Sequence, residues 1–219
     1  MYDREKRKEI LEKNGIIAVI RAPSRESIIP LGKALIKGGV RNLEITTSTP
    51  GAIEAIRDAR QEFATDALVG VGTVLNEEVL REAIHAGAEF LVTPVLKPQF
   101  IDLCHSKGVP LMLGAYTPTE AQIAHECGSD YVKIFPADTL GPNYIKSIRA
   151  PMPHLNIVPT GGVNLDTAES FLDAGCKALG VGSSLVPTKW MVEENWDMIS
   201  STARLFSETL SKWRKKNEG

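Results

Sequence analysis

The chain has 219 residues, 43% hydrophobic and 24% charged, with 25 Lys and Arg against 27 Asp and Glu for a formal charge of −2. This is the composition of an ordinary soluble globular protein, and the near-even charge balance argues against a general binder of nucleic acid or anionic membrane. No run of about 18 apolar residues offers a membrane span, and the charged start Met1-Tyr2-Asp3-Arg4-Glu5-Lys6-Arg7-Lys8 lacks the apolar core of a signal peptide, so a cytoplasmic location is expected.

In chain order, residues 3–14 read as a charged helix, after which short β-branched runs alternate with longer amphipathic segments. The first run, 16–20, passes through Ser24-Arg25-Glu26 into Ile28, Leu31, Leu35 and Ile36 at helical spacing, ending at Gly38-Gly39. The second run, 43–46, precedes Thr49-Pro50, which reads as an N-cap followed by proline at the first helical position. The third, 68–72, precedes Asn76-Glu77-Glu78 and a helix with Val79, Leu80, Ala83 and Ile84 on its apolar face, closed by Gly87. Runs 90–93 and 111–113 follow, then the capping box Thr117-Pro118-Thr119-Glu120. Runs 131–135, 156–159 and 178–181 complete the series, with a helix start at Asn164-Leu165-Asp166. Residues 195–217, carrying Trp196, Ile199, Leu205, Leu210 and Trp213, read as an outer helix plus a solvated basic tail. Gly39, Gly87, Gly128 and Gly175 each stand where a helix stops in the left-handed conformation before the next strand.

Eight strand–helix units without a linker or composition break predict an α/β fold, a single compact (β/α)8 TIM barrel domain over residues 1–219 with an extra N-terminal helix plugging the barrel's N-terminal face. An open doubly wound sheet shares the local pattern. Eight repeats favour closure, and no G-x-G-x-x-G loop opens a helix near the N-terminus.

Chemistry in such a barrel sits at the C-terminal strand ends. Lys133 lies inside the apolar run Tyr131-Val132-Lys133-Ile134-Phe135, where loss of hydration favours the neutral, nucleophilic amine that attacks a ketone. The plainer alternative is a lysine snorkelling from an edge strand. Glu44, between Leu43 and Ile45, is a candidate general acid–base if it points inward, or half of a structural ion pair with Lys133 or Arg21. Thr160-Gly161-Gly162 and Gly180-Val181-Gly182-Ser183 follow the seventh and eighth runs, the recurrent phosphate position of this fold. His85, His105, His125 and His154 fall away from the strand tops, so no metal site is expected. Cys104, Cys127 and Cys176 lack a C-x-x-C pair and read as reduced, mostly buried thiols, none at a strand end. The lysine is the remaining nucleophile.

Leu43-Glu44-Ile45-Thr46, Val71-Gly72-Thr73-Val74-Leu75, Val92-Thr93-Pro94, Lys133-Ile134-Phe135-Pro136-Ala137, Pro159-Thr160-Gly161-Gly162 and Val181-Gly182-Ser183 together resemble, in order, the class I 2-keto-3-deoxy-6-phosphogluconate and 4-hydroxy-2-oxoglutarate aldolases. The resemblance implies a homotrimeric barrel without a cofactor, cleaving its substrate to pyruvate plus glyceraldehyde 3-phosphate or glyoxylate. It implies that Lys133 forms the Schiff base and Glu44 shuttles protons. Thr73 and Pro94 would frame the pyruvate moiety, Phe135 would pack on the imine, and Thr160 would handle the C4 oxygen. Gly161, Gly162, Gly182 and Ser183 would hold the distal phosphate. Typical members place an arginine four residues after the glutamate, where Ser48 stands here. A subgroup acting on 2-oxo-3-deoxygalactonate 6-phosphate instead has an arginine ending strand one, which Arg21 matches, and a segment similar to Gly141-Pro142-Asn143-Tyr144-Ile145-Lys146; Thr160 points back to the gluconate type. Another phosphate-binding barrel isomerase or synthase, or a non-catalytic sugar-phosphate-binding protein, are the alternative readings.

Overall fold

The computed structural model describes residues 3–217, and each short β-branched run becomes a strand of one parallel sheet. The elements are α1 (Arg4–Asn14), β1 (Ile16–Ile20), α2 (Ile28–Lys37), β2 (Asn42–Thr46), α3 (Ala52–Phe63), β3 (Leu68–Gly72), α4 (Glu77–His85), β4 (Leu91–Val92), α5 (Ile101–Ser106), β5 (Leu111–Ala115), α6 (Pro118–Glu126), β6 (Tyr131–Ile134), α7 (Gly141–Arg149), β7 (Ile157–Pro159), α8 (Ala168–Asp173), β8 (Leu179–Val181), α9 (Thr188–Val192) and α10 (Trp196–Asn217). Strands β1 to β7 lie side by side in chain order and β8 pairs with β1. A parallel bridge between Thr160 and Gly180, with the Lys177 N–H donating to the Ile157 carbonyl at 2.9 Å, closes β7 onto β8. The chain is a (β/α)8 barrel.

Two-residue alternation along each strand builds two cores. Outward residues such as Ile16, Ala18, Leu43, Ile45, Val69, Val71, Val132 and Ile134 pack under the helices. Inward residues Ile17, Leu68, Phe90, Val92, Met112, Tyr131, Val158 and Ala178 fill the bore together with Leu11 of α1. Leu11 is the plug. The Tyr131 hydroxyl donates to Glu12 Oε1 at 2.8 Å and Arg7 donates to the Gly108 carbonyl at 2.7 Å, fastening α1 across the N-terminal end.

Local signals set most helix ends. Asn76 accepts from the Val79 N–H at 2.9 Å, and Thr117 with Glu120 forms the expected capping box. Gly39, Gly87, Gly128 and Gly175 all have positive φ. Two expectations need correction, at the start of α3 and at the basic end of the chain. Helix α3 starts at Ala52 behind a left-handed Gly51, because the Thr49 hydroxyl is used to accept from the Ala22 N–H at 3.1 Å and does not cap. Leu205 is exposed, whereas Ile199 and Leu210 are buried, since the apolar stripe of α10 passes through Ala203 and Phe206 instead. The basic end of the chain is helical through Asn217; Lys215 and Lys216 are exposed there, while Arg214 is tied to the Glu12 and Lys13 carbonyls. Cys104 and Cys176 are buried, burial pushing both thiols up to about 12, while Cys127 is exposed. Met1 and Tyr2 of the charged start, and Glu218 and Gly219 of the expected domain span, lie outside the described residues. Among the described residues no helix is long and apolar enough to cross a membrane.

Candidate active site

Because β6 turns Tyr131 into the lower bore, the period of two turns Lys133 into the bore one layer higher. Leu43 and Ile45 face the helices, so Glu44 on β2 also points inward. The two side chains meet across the barrel, with Lys133 Nζ 3.7 Å from Glu44 Oε1 and side-chain exposures of 4% and 2%. That separation is an ion pair but exceeds a hydrogen bond. Glu44 Oε1 is buried and has no hydrogen-bond partner. An unsatisfied buried acceptor costs about 1–3 kcal/mol, more when charged. Lys133 Nζ also lies 5.3 Å from the centre of the Phe135 ring, within cation–π range.

Glycines make the space for this pair. A Cβ on Gly72 of β3 would overlap the Glu44 carboxylate, one on Gly114 of β5 would overlap the Pro94 backbone, and one on Gly180 of β8 would overlap Thr160 Oγ1. By sequence alone Gly180 is placed in the loop after the eighth run, and no site role falls to Gly72 or Gly114. The available signal was glycine inside strands, which marks close approach.

The remaining predicted residues ring the mouth. Thr160 is buried, its N–H donating to the Ile134 carbonyl at 3.0 Å and its carbonyl accepting from Ala137 at 2.9 Å. Thr73 caps β3 with φ +62, a left-handed conformation that costs a β-branched residue on the order of 1–3 kcal/mol and concentrates at functional sites. Its carbonyl is held by the Thr47 hydroxyl at 2.9 Å. Pro94 follows a buried Thr93 whose hydroxyl donates to the Val95 carbonyl at 2.5 Å. Phe135 and Pro94 line a groove of about 480 Å³ with Gly114 and Tyr116. Thr46 donates to the Ile20 carbonyl at 2.9 Å; with that proton committed, Ser48 donates to Thr46 Oγ at 2.8 Å.

The two glycine loops differ in how open they are. Gly161 and Gly162 carry φ of +97 and +68, and a Cβ on Gly162 would lie 2.7 Å from Asp138 Cα, so no side chain fits there. The Thr167 hydroxyl secures this loop by donating to the Gly162 carbonyl at 2.8 Å. After β8 the Gly182 carbonyl accepts from Leu185 and Val186, each at 2.9 Å, and Ser183 is exposed. Arg21, the arginine that ends strand one, is exposed, its Nη1 3.8 Å from where a Gly182 Cβ would stand. The register of β1 against β8 explains this: the end of β1 rises beside the loop after β8. Among the described residues no three His, Cys, Asp or Glu side chains cluster as metal ligands.

The arrangement is a buried amine, a carboxylate lacking a donor and an exposed guanidinium beside a glycine loop. It suits attack on a carbonyl with proton transfer, followed by gripping of an anion at the rim. Residues 8–202 match the family model described as KDPG and KHG aldolase. A 2-dehydro-3-deoxy-phosphogluconate aldolase of Treponema pallidum is 37% identical over 198 residues, 90% of this chain and 93% of that protein. A probable 2-dehydro-3-deoxy-6-phosphogalactonate aldolase of Rhizobium meliloti is 34% identical over 171 residues, 78% of this chain and 81% of that protein. A crystal structure of KDPG aldolase from Legionella pneumophila, with pyruvate captured as a covalent carbinolamine, superposes with a TM-score of 0.83 at 28% identity, covering 90% of this chain and 96% of that one.

Proposed function

The chain belongs to the KDPG and KHG aldolase family of aldehyde lyases, and we propose on that premise that it works through a Schiff base on Lys133. The observation that carries the reading is the buried Lys133–Glu44 pair, held at 3.7 Å with one carboxylate oxygen lacking a donor. In this reading the Lys133 amine adds to the C2 ketone of a 2-keto acid and water leaves. The protonated imine then accepts the electrons of the C3–C4 bond as it breaks. Glu44 removes the C4 hydroxyl proton as the aldehyde forms and returns a proton to C3 of the enamine; water then hydrolyses the resulting imine, freeing pyruvate and the lysine. Thr73 and Pro94 frame the pyruvate end, Phe135 packs on the imine, and Thr160 hydrogen-bonds the C4 oxygen.

Arg21 and the loops of Gly161, Gly162, Gly182 and Ser183 bind the substrate's anions, Arg21 serving the carboxylate in place of the arginine that Ser48 displaces. The substrates are a 2-keto-3-deoxy-6-phospho sugar acid of gluconate or galactonate type, 4-hydroxy-2-oxoglutarate, or both. Residues 1–219 act as one domain of a cytoplasmic homotrimer, a reading supported by the family resemblance. Incubation with pyruvate and borohydride should add one lactyl-sized mass to a peptide containing Lys133. An adduct on Lys97 or Lys146 instead, or none, would remove the Schiff-base assignment and favour a barrel enzyme using Glu44 alone.

A further inference from the structure

We propose that the N-terminal end of the barrel carries a second anion site, a groove that takes a small organic diphosphate or polyphosphate. It is independent of the chemistry at the barrel mouth. The groove, about 670 Å³, lies where the end of α1, the turns entering β2 and β3, and α10 meet. That is a usual size for a small-ligand site. Among the described residues its charged lining is Lys13, Arg41, Arg214 and Lys215, with no carboxylate side chain. In a chain of net charge −2, four cations in one groove are a local departure from the average.

None of these four pairs with a carboxylate among the described residues, whereas Lys33 pairs with Glu62 at 2.6 Å and Arg25 with Asp58 at 2.7 Å. Within the groove the guanidiniums are held by neutral carbonyls. Arg214 donates to Lys13 O and Glu12 O at 2.6 Å each, and Arg41 donates to Asp66 O at 2.8 Å. Such bonds fix a guanidinium's position without cancelling its charge by a carboxylate, which lowers the ordering cost of binding an anion. Gly15, at φ +69, lets α1 end flush against Arg214, since a Cβ there would lie 2.9 Å from Nη2. The exposed Lys13 and Lys215 side chains have no hydrogen-bond or ion-pair partner among the described residues. Asp66 and Glu89 line an adjoining cavity of about 130 Å³, where Glu89 is already paired with Arg60 at 2.7 Å.

The charge count sets the ligand class. Four cations exceed what one phosphate dianion balances, and suit two linked phosphates whose oxygens accept several charge-assisted hydrogen bonds. Thr65 and Ser211 add hydroxyls at the rim, and Ile10 with Leu210 gives an apolar patch for the organic part.

The test uses inorganic pyrophosphate as probe at constant ionic strength, on the full chain. Limiting acetic anhydride followed by mass spectrometry should show acetylation of Lys13 and Lys215 slowed at least fivefold by pyrophosphate. Lys212 and Lys216 on the same helix should be unchanged, and the same protection should persist in Lys133→Met. By calorimetry the double variant Lys13→Gln/Lys215→Gln should bind pyrophosphate at least tenfold more weakly while keeping its turnover. Uniform protection of all surface lysines, absence of binding, or unchanged affinity in the double variant would overturn the site.

Discussion

Both ends of the barrel bury a glutamate beside a cation, and the two pairs are built differently. At the N-terminal end Glu89 pairs with Arg60 at 2.7 Å and accepts the Val69 N–H at 3.2 Å. Nearby Asp130 accepts from the Leu111 N–H at 3.0 Å, contacts His105 at 3.2 Å, and has Lys8 within 3.5 Å. Each of these carboxylates has one oxygen held by both a backbone N–H and a basic side chain. At the C-terminal end Glu44 faces Lys133 across 3.7 Å, and its Oε1 accepts no hydrogen bond from the described residues. The surroundings follow the same division, since Phe90, Met112, Tyr131 and Leu11 pack the lower bore while Gly72, Gly114 and Gly180 open the upper one. A well-bonded pair holds structure together; a pair left short of partners costs stability and keeps its groups available to a substrate.

Deleting the cation of each pair breaks the comparison most sharply. Lys133→Met should lower kcat by on the order of 10⁴ or more, as loss of a nucleophile does. It also strands the Glu44 carboxylate, so Lys133→Met/Glu44→Gln should regain stability without regaining activity. Arg60→Met should leave kcat within twofold and lower stability by about 2–3 kcal/mol, less than for a fully buried pair because Arg60 is 25% exposed. Denaturant titration and a pyruvate-release assay on both variants check this, and a loss of kcat in Arg60→Met would erase the distinction.

Glu44→Gln comes next. Its amide keeps the volume and loses the proton transfer, so kcat should fall by about 10² to 10⁴. Stability should fall as well, because the Lys133 ammonium is left buried without its partner. A kcat unchanged in this variant would mean that Glu44 is structural, like Glu89.

Gly72→Ala tests whether the upper bore must stay open. The added Cβ overlaps the Glu44 carboxylate, so overpacking should cost about 1–3 kcal/mol. The displaced carboxylate should lower kcat more than it raises KM. Arg21→Ala should have a smaller effect, about tenfold in kcat/KM, as expected for an exposed cation that meets only the substrate's anionic part. Gly162 is unsuitable for the same purpose, since a side chain there meets Asp138; Ser183→Asp instead places charge in the open loop. It should selectively slow phosphorylated substrates while sparing 4-hydroxy-2-oxoglutarate.

The smallest effect concerns pH and the lower pair. Burial holds the Glu89 carboxyl above its ordinary value of 4.5, against the opposing pull of Arg60. Between the unfolded and folded values the folded state binds more protons, so this group's contribution is complete below 4.5 and is lost as pH rises through the folded value. Stability measured against pH should therefore fall less steeply across that window in Glu89→Gln than in the unchanged protein. An identical slope would show that Glu89 does not titrate differently on folding.

Much of this was legible in the chain. Eight β-branched runs, the Asn76 and Thr117 caps and the stop glycines lay within a residue or two of their observed places, because they depend on local periodicity and backbone preference. The start of α3 was misjudged because the Thr49 hydroxyl had a distant claimant, the Ala22 N–H. The apolar residues of the last helix do not by themselves say which stripe turns inward; packing of α10 against α2 and α8 buries Ile199, Ala203, Phe206 and Leu210 and leaves Leu205 exposed. The exposure of Arg21 was equally out of reach, since it depends on how the first and last strands abut.

The sequence by itself determined that Lys133 and Glu44 lie in apolar strands and that period-two alternation can send both to one face. Only closure of the barrel decided that those faces meet, at 3.7 Å, with glycines of three other strands standing aside. The physical reason is that alternation is a property of one strand, whereas distance across the bore follows from the stagger and closure of all eight. The same holds for the basic groove at the opposite end. Lys13, Arg41, Arg214 and Lys215 are unremarkable surface cations in the chain, and they share one groove only because α10 returns the C-terminal residues to the end of α1.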